Sequence, residues 1–202
     1  MTPTNLHGHY LDQENMAEVK ILLKGYFKWI EKNKCKASST ITLIRDENKN
    51  ILFDTGNIGE EEKLIKALKK ENLTPEDIDI VINSHSHPDH IGCNHLFKRA
   101  LFINSESTFR GDEFTLRKGS YEVTKNVKLI PTPGHTDECC SALVKTQKGL
   151  IVVVGDLFWS SQDSRLAFVK NEKLLKKSRA KIIKVADYIV PGHAGMFEVI
   201  KG

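Results

Sequence analysis

The sequence predicts an α+β fold in which two sheets lie between helices. Short runs of apolar, β-prone residues recur along the chain, and amphipathic helical patterns separate some of them. Several runs end directly in His or Asp, so chemically active side chains collect where strands end. With 202 residues, of which 40% are hydrophobic and 28% charged, the chain is long enough for one domain with a substantial core.

The domain boundary is predicted near residue 16. Residues 1–15 are polar and show no periodicity, so we expect a flexible N-terminal extension there. His7 and His9 lie in this extension, and a loose terminus explains them better than a metal-binding arm does. Residues 16–202 are predicted to form a single domain, because no linker, internal repeat or low-complexity tract divides them.

Composition favours a cytoplasmic protein with no membrane partner. No apolar span approaches the roughly 18 residues that a transmembrane helix needs, and the N-terminus lacks the apolar segment of a signal peptide. The four cysteines have no regular spacing, which argues against a disulfide framework and for a reducing compartment. The net charge of +4 is compatible with an anionic substrate but does not establish one.

The first third of the chain is predicted to be mainly β-structure. Residues 19–26 form a strand, and residues 39–45 and 50–54 form a hairpin around a polar turn. Residues 27–38 are interpreted as a mobile flap that the sequence does not place relative to the site. The remaining predicted strands are 78–83, 101–103, 121–123, 127–130, 142–145, 149–155 and 188–190.

Two segments show clear amphipathic helical patterns. Residues 60–72 begin with glutamates and end with lysines, which suits the helix dipole, and residues 171–187 form a basic amphipathic helix. A short helical turn is expected at 74–77, where a Thr precedes Pro, and a further helix is expected to start within 91–97.

The motif His-Ser-His-Pro-Asp-His at residues 85–90 follows a buried strand. Pro88 favours an extended or turn-like backbone, in which side chains two residues apart point the same way. His85, His87 and Asp89 can therefore converge, and His90 can reach a neighbouring point. Imidazole and carboxylate ligands together suit zinc, iron or manganese. The motif therefore predicts a metal site.

Three further pieces follow the motif, each after a β-prone run. They are Thr-Pro-Gly-His ending at His135, Val-Val-Gly-Asp ending at Asp156, and Val-Pro-Gly-His ending at His193. With the Asp-Thr-Gly turn at Asp54, this ordered set resembles the metallo-β-lactamase superfamily over residues 19–200. The resemblance implies the αββα sandwich of that fold, with two mixed sheets flanked by helices.

The resemblance also implies a dinuclear site. By this similarity one metal would be held by His85, His87 and His135, the other by Asp89, His90 and His193, and Asp156 would bridge both. We expect two divalent ions, zinc first, with iron or manganese as alternatives. A metal-bridging hydroxide would be the nucleophile, with Asp89 and Asp156 as catalytic residues. Asp54 would support the metal loop by hydrogen bonding without binding metal.

Residues close to the motifs are candidates for the substrate pocket. Cys93 lies just past the metal motif, and Phe158 and Trp159 directly follow the bridging position. We interpret all three as pocket residues, with core packing as the alternative for each. Aromatic side chains at such positions are suited to contact an apolar group or stack on a base.

Departures from better-known relatives narrow the expected activity. Asp156 stands where β-lactamases usually have Cys or Ser, which argues against antibiotic hydrolysis, and residues 85–97 most resemble short single-domain metallo-β-lactamase-domain-containing proteins. Members of that group have been linked to RNA cleavage. We therefore expect a metal-dependent hydrolase of ester-type or phosphodiester bonds, acting on a small-molecule or nucleic-acid substrate. The alternatives are a mono-iron enzyme resembling persulfide dioxygenases and a thioester hydrolase resembling glyoxalase II.

Overall fold

A computed structural model of the protein describes residues 16–163 and 168–201. The predicted N-terminal extension, with His7 and His9, lies outside the described residues. Within them the first sheet contains, in spatial order, β1 (Glu18–Leu23), β4 (Ile41–Asp46), β5 (Lys49–Phe53), β6 (Ile80–Ile82), β7 (Leu101–Ile103), β8 (Ser107–Arg110) and β9 (Glu113–Leu116). The second sheet contains β10 (Tyr121–Thr124), β11 (Val127–Pro131), β12 (Cys140–Thr146), β13 (Gly149–Val153), β14 (Tyr188–Val190) and β15 (Phe197–Glu198).

Both sheets are mixed, and their parallel strands position the site. In the first sheet β6 runs parallel to β5 and β7, with Phe53 opposite Ile82. In the second sheet β13 runs parallel to β14, with Val153 opposite Val190. Because parallel strands end at the same edge of a sheet, the segments that follow these strands are brought side by side. These are the segments that carry the His and Asp motifs.

Helices cover the outer faces of the two sheets. α1 (Glu61–Lys70) and α3 (Glu172–Val185) are the two long helices of the described chain, and α2 (Pro88–Ile91) is a single turn inside the metal motif. Leu64 and Leu68 of α1 are fully buried against the first sheet, and Leu175 and Ile182 of α3 are fully buried against the second. The apolar faces of the two sheets meet in the central core. The predicted αββα sandwich is confirmed.

The ends of the long helices follow from local chemistry. Asn171 caps α3, since its side-chain Oδ1 accepts the Leu174 backbone N–H at 3.0 Å. The chain leaves α1 at Asn72, whose φ of 59° is the left-handed conformation that ends helices and that Asn tolerates. Both helices agree with the sequence prediction to within two residues. The predicted turn at 74–77 is also present, as the short helix Pro75–Asp77.

The structure differs from the sequence prediction in several segments of the described chain. The helix expected within 91–97 begins earlier, at Pro88, and stops at Ile91, followed by the separate turn Asn94–Leu96. Gly92 lies so close to the loop before α1 that a Cβ there would be 2.2 Å from the Ile58 backbone nitrogen. Strands β8, β9 and β15 were not predicted, because they are short and carry no clear apolar run.

The segment left unplaced by the sequence is a β-hairpin. It consists of β2 (Tyr26–Glu31) and β3 (Lys34–Ser38), which pair with each other outside the two large sheets. The predicted first strand, residues 19–26, therefore ends at Leu23, and Tyr26 already belongs to the hairpin. We call residues 26–38 the site hairpin, because its aromatic side chains reach the metal motifs.

Candidate metal centre

The sequence motifs converge at one edge of the sandwich. His85 and His87 follow β6, Asp89 and His90 lie on α2, and His135, Asp156 and His193 follow β11, β13 and β14. All seven belong to two groups whose nitrogen and oxygen atoms lie within 4.8 Å of one another in each group. The structure thus brings together every residue for which the sequence predicts metal binding.

The first cluster contains three imidazoles and one carboxylate. The His87 Nδ1 atom lies 2.9 Å from His85 Nε2 and 3.0 Å from His135 Nε2. Asp156 Oδ2 lies 3.3 Å from His135 Nε2. Ligand atoms on one tetrahedral zinc ion are about 3.3 Å apart, given bond lengths of about 2.0 Å. The spacing of these four atoms therefore fits the donor set of a single metal ion.

The second cluster lies on the other side of Asp156. Asp156 Oδ1 is 3.1 Å from the Nε2 atoms of both His90 and His193. Asp89 Oδ2 lies 3.8 Å from His90 Nε2 and 3.7 Å from His193 Nε2. Asp156 Oδ1 thus faces the second cluster, and Asp156 Oδ2 lies between the two, 3.3 Å from both His135 Nε2 and His193 Nε2. This position is suited to a carboxylate shared by two ions.

Two buried atoms of the second cluster test whether a metal fits. Among the described residues, His90 Nε2 and Asp156 Oδ1 are inaccessible to solvent and make no well-aligned hydrogen bond, although they lie 3.1 Å apart. An unsatisfied buried polar group costs about 1–3 kcal/mol, and more when it is charged. Both atoms face the same point, so one divalent ion there would satisfy both. The residues present therefore fit a metal ion.

Burial and charge set the protonation of the cluster. Burial lowers the pKa of His135 to about 4 and holds the pKa of His85 well below its usual range. Burial opposes a charge on His90 and His193, but the Asp156 carboxylate raises the pKa of both imidazoles. These two imidazoles in turn keep the pKa of Asp156 well below its usual range despite its burial. The carboxylate is therefore ionised at neutral pH, as metal binding requires.

Asp54 holds the metal loop from beneath. Its Oδ1 accepts the Ser84 backbone N–H at 2.7 Å, and its Oδ2 lies 2.7 Å from His90 Nδ1. The parallel pairing of Phe53 with Ile82 brings the carboxylate to this position. A hydrogen bond at Nδ1 leaves His90 Nε2 free to face the metal position. Asp54 thus contacts the Nδ1 atom of His90 and is placed to fix the orientation of that imidazole.

Ser38 orients a second ligand, and sequence reasoning missed it. The Ser38 backbone carbonyl, at the end of β3, accepts a hydrogen bond from His193 Nδ1 at 2.9 Å. This contact fixes the His193 ring with Nε2 toward Asp156. The bonding group is a backbone oxygen, so no side-chain pattern could have identified it.

Two of the three predicted pocket residues are placed elsewhere. Cys93 is fully buried in the core beneath α1, and its thiol donates to the Asn57 carbonyl at 3.0 Å. Phe158 belongs to the core beneath α3 and lies under the Arg179 guanidinium. Both interpretations as pocket residues are wrong, because these side chains satisfy apolar cores on the outer faces of the sheets. Trp159 does line the cavity at the site.

An aromatic wall encloses the approach to the metal clusters. We use this name for Phe27, Trp29, Trp159 and Phe168. The Phe27 ring stacks on Trp159 with centroids 4.4 Å apart, and the Trp29 ring stacks on Phe168 at 5.9 Å. The adjoining cavity has a volume of about 230 Å³ and also contacts His87, Asp89, His135, Asp156 and His193. In the sequence, the alternation of aromatic Phe27 and Trp29 with polar Lys28 is the pattern that could have predicted a strand of the hairpin.

Comparison with known proteins agrees with this architecture. The sequence model described as metallo-beta-lactamase superfamily matches residues 37–108. A metallo-beta-lactamase domain-containing protein 1 of Xenopus laevis is 34% identical over 192 residues, which cover 91% of this chain and 82% of the relative. A probable metallo-hydrolase of Methanocaldococcus jannaschii is 38% identical over 152 residues, covering 72% and 71%.

A solved structure shares the fold at lower identity. It is an N-acyl homoserine lactone hydrolase with its product bound at the catalytic metal centre, and it superposes with a TM-score of 0.66 at 20% identity, covering 89% of this chain and 93% of that one. The matches, the fold and the paired ligand clusters define a metal-dependent hydrolase. The chain belongs to the metallo-β-lactamase superfamily. No helix in the described ranges is long and apolar enough to cross a membrane.

Proposed function

We propose that the protein is a dinuclear metal-dependent hydrolase that cleaves ester-type bonds. The observation that supports it most directly is the position of the Asp156 carboxylate between the two ligand clusters. The sequence also allows phosphodiester substrates, RNA included. The residues that line the cavity favour ester-type substrates over these. The related lactone hydrolase acts on a cyclic ester, which agrees with the preferred class.

The ligand assignment follows the two clusters. His85, His87 and His135 would hold one ion and Asp89, His90 and His193 the other, with Asp156 shared. Two divalent ions, zinc foremost, would supply Lewis acidity for activating water and polarising the scissile bond. The chain's own contribution is to keep both ligand sets oriented through Asp54 and Ser38. The Asp89 carboxylate, which is partly exposed in the cavity, is suited to accept a proton from the attacking water.

The wall of the cavity favours an apolar substrate group. Apart from the metal-cluster residues, its described lining consists of Phe27, Cys35, Ala37, Pro88, Trp159 and Phe168. None of the described lining residues is Lys or Arg, so these side chains offer no cation to the neighbouring phosphates of a nucleic acid. An ester with an apolar acyl or aromatic group beside the scissile bond can instead bury that group against the aromatic wall.

Replacement of Phe27 tests the aromatic wall. We expect Phe27→Ala to raise KM for an aryl or long-acyl ester about 10-fold, since burying an aromatic group is worth about 1.5–3 kcal/mol. Metal stoichiometry measured on the same protein should remain near two ions per chain, because Phe27 meets the clusters only through ring contacts with Trp159 and His193. KM measured for a short acetyl ester should change less. An equal KM change for both esters would contradict an apolar subsite.

Metal analysis combined with a substrate panel tests the proposed function. Elemental analysis of protein from a metal-balanced host should give two divalent ions per chain. Aryl esters, lactones and thioesters should be hydrolysed with higher kcat/KM than bis-aryl phosphodiesters or single-stranded RNA. Preferential cleavage of phosphodiesters would contradict the assignment of ester-type substrates. One iron per chain, with oxygen uptake on glutathione persulfide, would contradict the hydrolase proposal.

Removal of the metal should reduce both activity and stability. A ligand at 1,000 times its Kd stabilises the folded state by about 4 kcal/mol. For a chain of this size that free energy corresponds to a decrease in Tm of roughly 10 °C after chelation. Differential scanning calorimetry before and after dialysis against a chelator measures the decrease, and added zinc or manganese should restore Tm and activity together. An unchanged Tm would show that the clusters hold no tightly bound metal.

A further inference from the structure

Trp159 makes a direct contact with the bridging carboxylate. Its indole Nε1–H donates to Asp156 Oδ2 at 2.9 Å, and the side chain is buried. Trp159 lies three residues after Asp156, just past the short helix Gly155–Leu157, so a tight turn returns the indole to the carboxylate. The aromatic wall alone does not account for this polar contact.

The indole is held in one orientation from several sides. The Trp159 backbone N–H donates to Asp163 Oδ2 at 2.9 Å, and Arg179 of α3 donates to the same oxygen at 2.6 Å. The Trp159 carbonyl accepts the His193 backbone N–H at 3.1 Å. On the cavity side, Phe27 stacks on the indole ring. The indole N–H is therefore a preorganised donor, anchored to α3, to the His193 loop and to the site hairpin.

The hydrogen bond selects one orientation of the carboxylate. Asp156 Oδ2 is the oxygen nearer His135, so the indole N–H occupies one acceptor position of this oxygen and leaves another for the first cluster. With the indole holding Oδ2 at a point 3.3 Å from both His135 Nε2 and His193 Nε2, Oδ1 points toward His90 and His193 at 3.1 Å. We infer that Trp159 is a positioning residue whose indole N–H orients Asp156 between the two metal positions and so sets metal affinity at the cluster of His85, His87 and His135.

Loss of the N–H alone tests this role. The inference rests on the proposed function, since it requires metal at the site. Replacing Trp159 by 3-benzothienylalanine keeps the size and stacking of the ring but removes the donor, and Trp159→Phe is a second variant without it. We expect zinc Kd at one of two sites to rise about 10- to 100-fold, the usual effect of removing a group that orients a metal ligand. Competition with a chromophoric chelator gives Kd, and the visible spectrum of the cobalt(II) form should change.

Trp29→Phe is the matched control. Trp29 is an indole of the same wall, and its ring contacts are with Phe27 and Phe168 rather than with a metal ligand. This variant should keep both zinc Kd values and the cobalt spectrum while raising KM for an aryl ester. Unchanged zinc Kd values in both Trp159 variants would overturn the inference and leave the hydrolase proposal standing. Wild-type protein that binds no metal would contradict both the inference about Trp159 and the hydrolase proposal.

Discussion

Asp156→Asn is expected to lower kcat/KM by about 1,000-fold or more and to reduce bound metal below two ions per chain. Asp156 is the carboxylate between the two clusters, with Oδ1 at 3.1 Å from His90 and His193 and Oδ2 at 3.3 Å from His135. An amide nitrogen cannot replace a ligating oxygen, and the lost Lewis acidity is worth several kcal/mol in the barrier. Steady-state kinetics and elemental analysis of the same preparation measure both effects.

Asp187→Asn is the control for this substitution. The Asp187 carboxylate lies away from the metal clusters, where it accepts the Leu150 backbone N–H and pairs with Lys201. The Asp187→Asn substitution also removes one negative charge but changes no metal ligand, so kcat/KM and metal content should match wild type. Full activity with two ions in Asp156→Asn would show that the carboxylate does not bridge.

Gly192→Ala should lower kcat/KM by about 100-fold although it adds a single methyl group. A Cβ at Gly192 would lie 2.2 Å from Asp156 Oδ1 and 2.9 Å from the backbone of Gly155. The carboxylate must therefore move away from its position between the clusters, and a displacement of about 1 Å at a catalytic group can cost about 100-fold. The expected signature is weakened metal binding together with lost activity.

Gly195→Ala provides the matched comparison three residues further on. A Cβ there meets an ordinary contact, 3.6 Å from the flexible Lys24 side chain. This variant should retain activity and metal, and far-ultraviolet circular dichroism of both variants separates local displacement from unfolding. Wild-type metal affinity in Gly192→Ala would contradict the close packing of this loop against Asp156.

Sequence alone predicted the candidate metal ligands and most of the fold. His85 to His90 form a short-range pattern whose ligand spacing follows from backbone geometry, so no tertiary information was needed to propose it. Each long helix has its own apolar stripe and its own end signals in the sequence, and both helices form where these local features predict them. The ordered recurrence of His135, Asp156 and His193 after β-prone runs supplied the rest of the candidate site.

The surroundings of those ligands depend on contacts between residues distant in sequence. The site hairpin reaches His193 through the Ser38 carbonyl, a bond across 155 positions. The sequence around Cys93 and Phe158 does not show whether these side chains face a cavity or a core. They are buried because the fold packs them into the apolar cores beneath α1 and α3. Trp159 was predicted as a pocket residue, but its hydrogen bond to Asp156 depends on a turn, on Asp163 and on the Phe27 ring. A ligand's identity is a local property, whereas its orientation is set by whatever the fold packs around it.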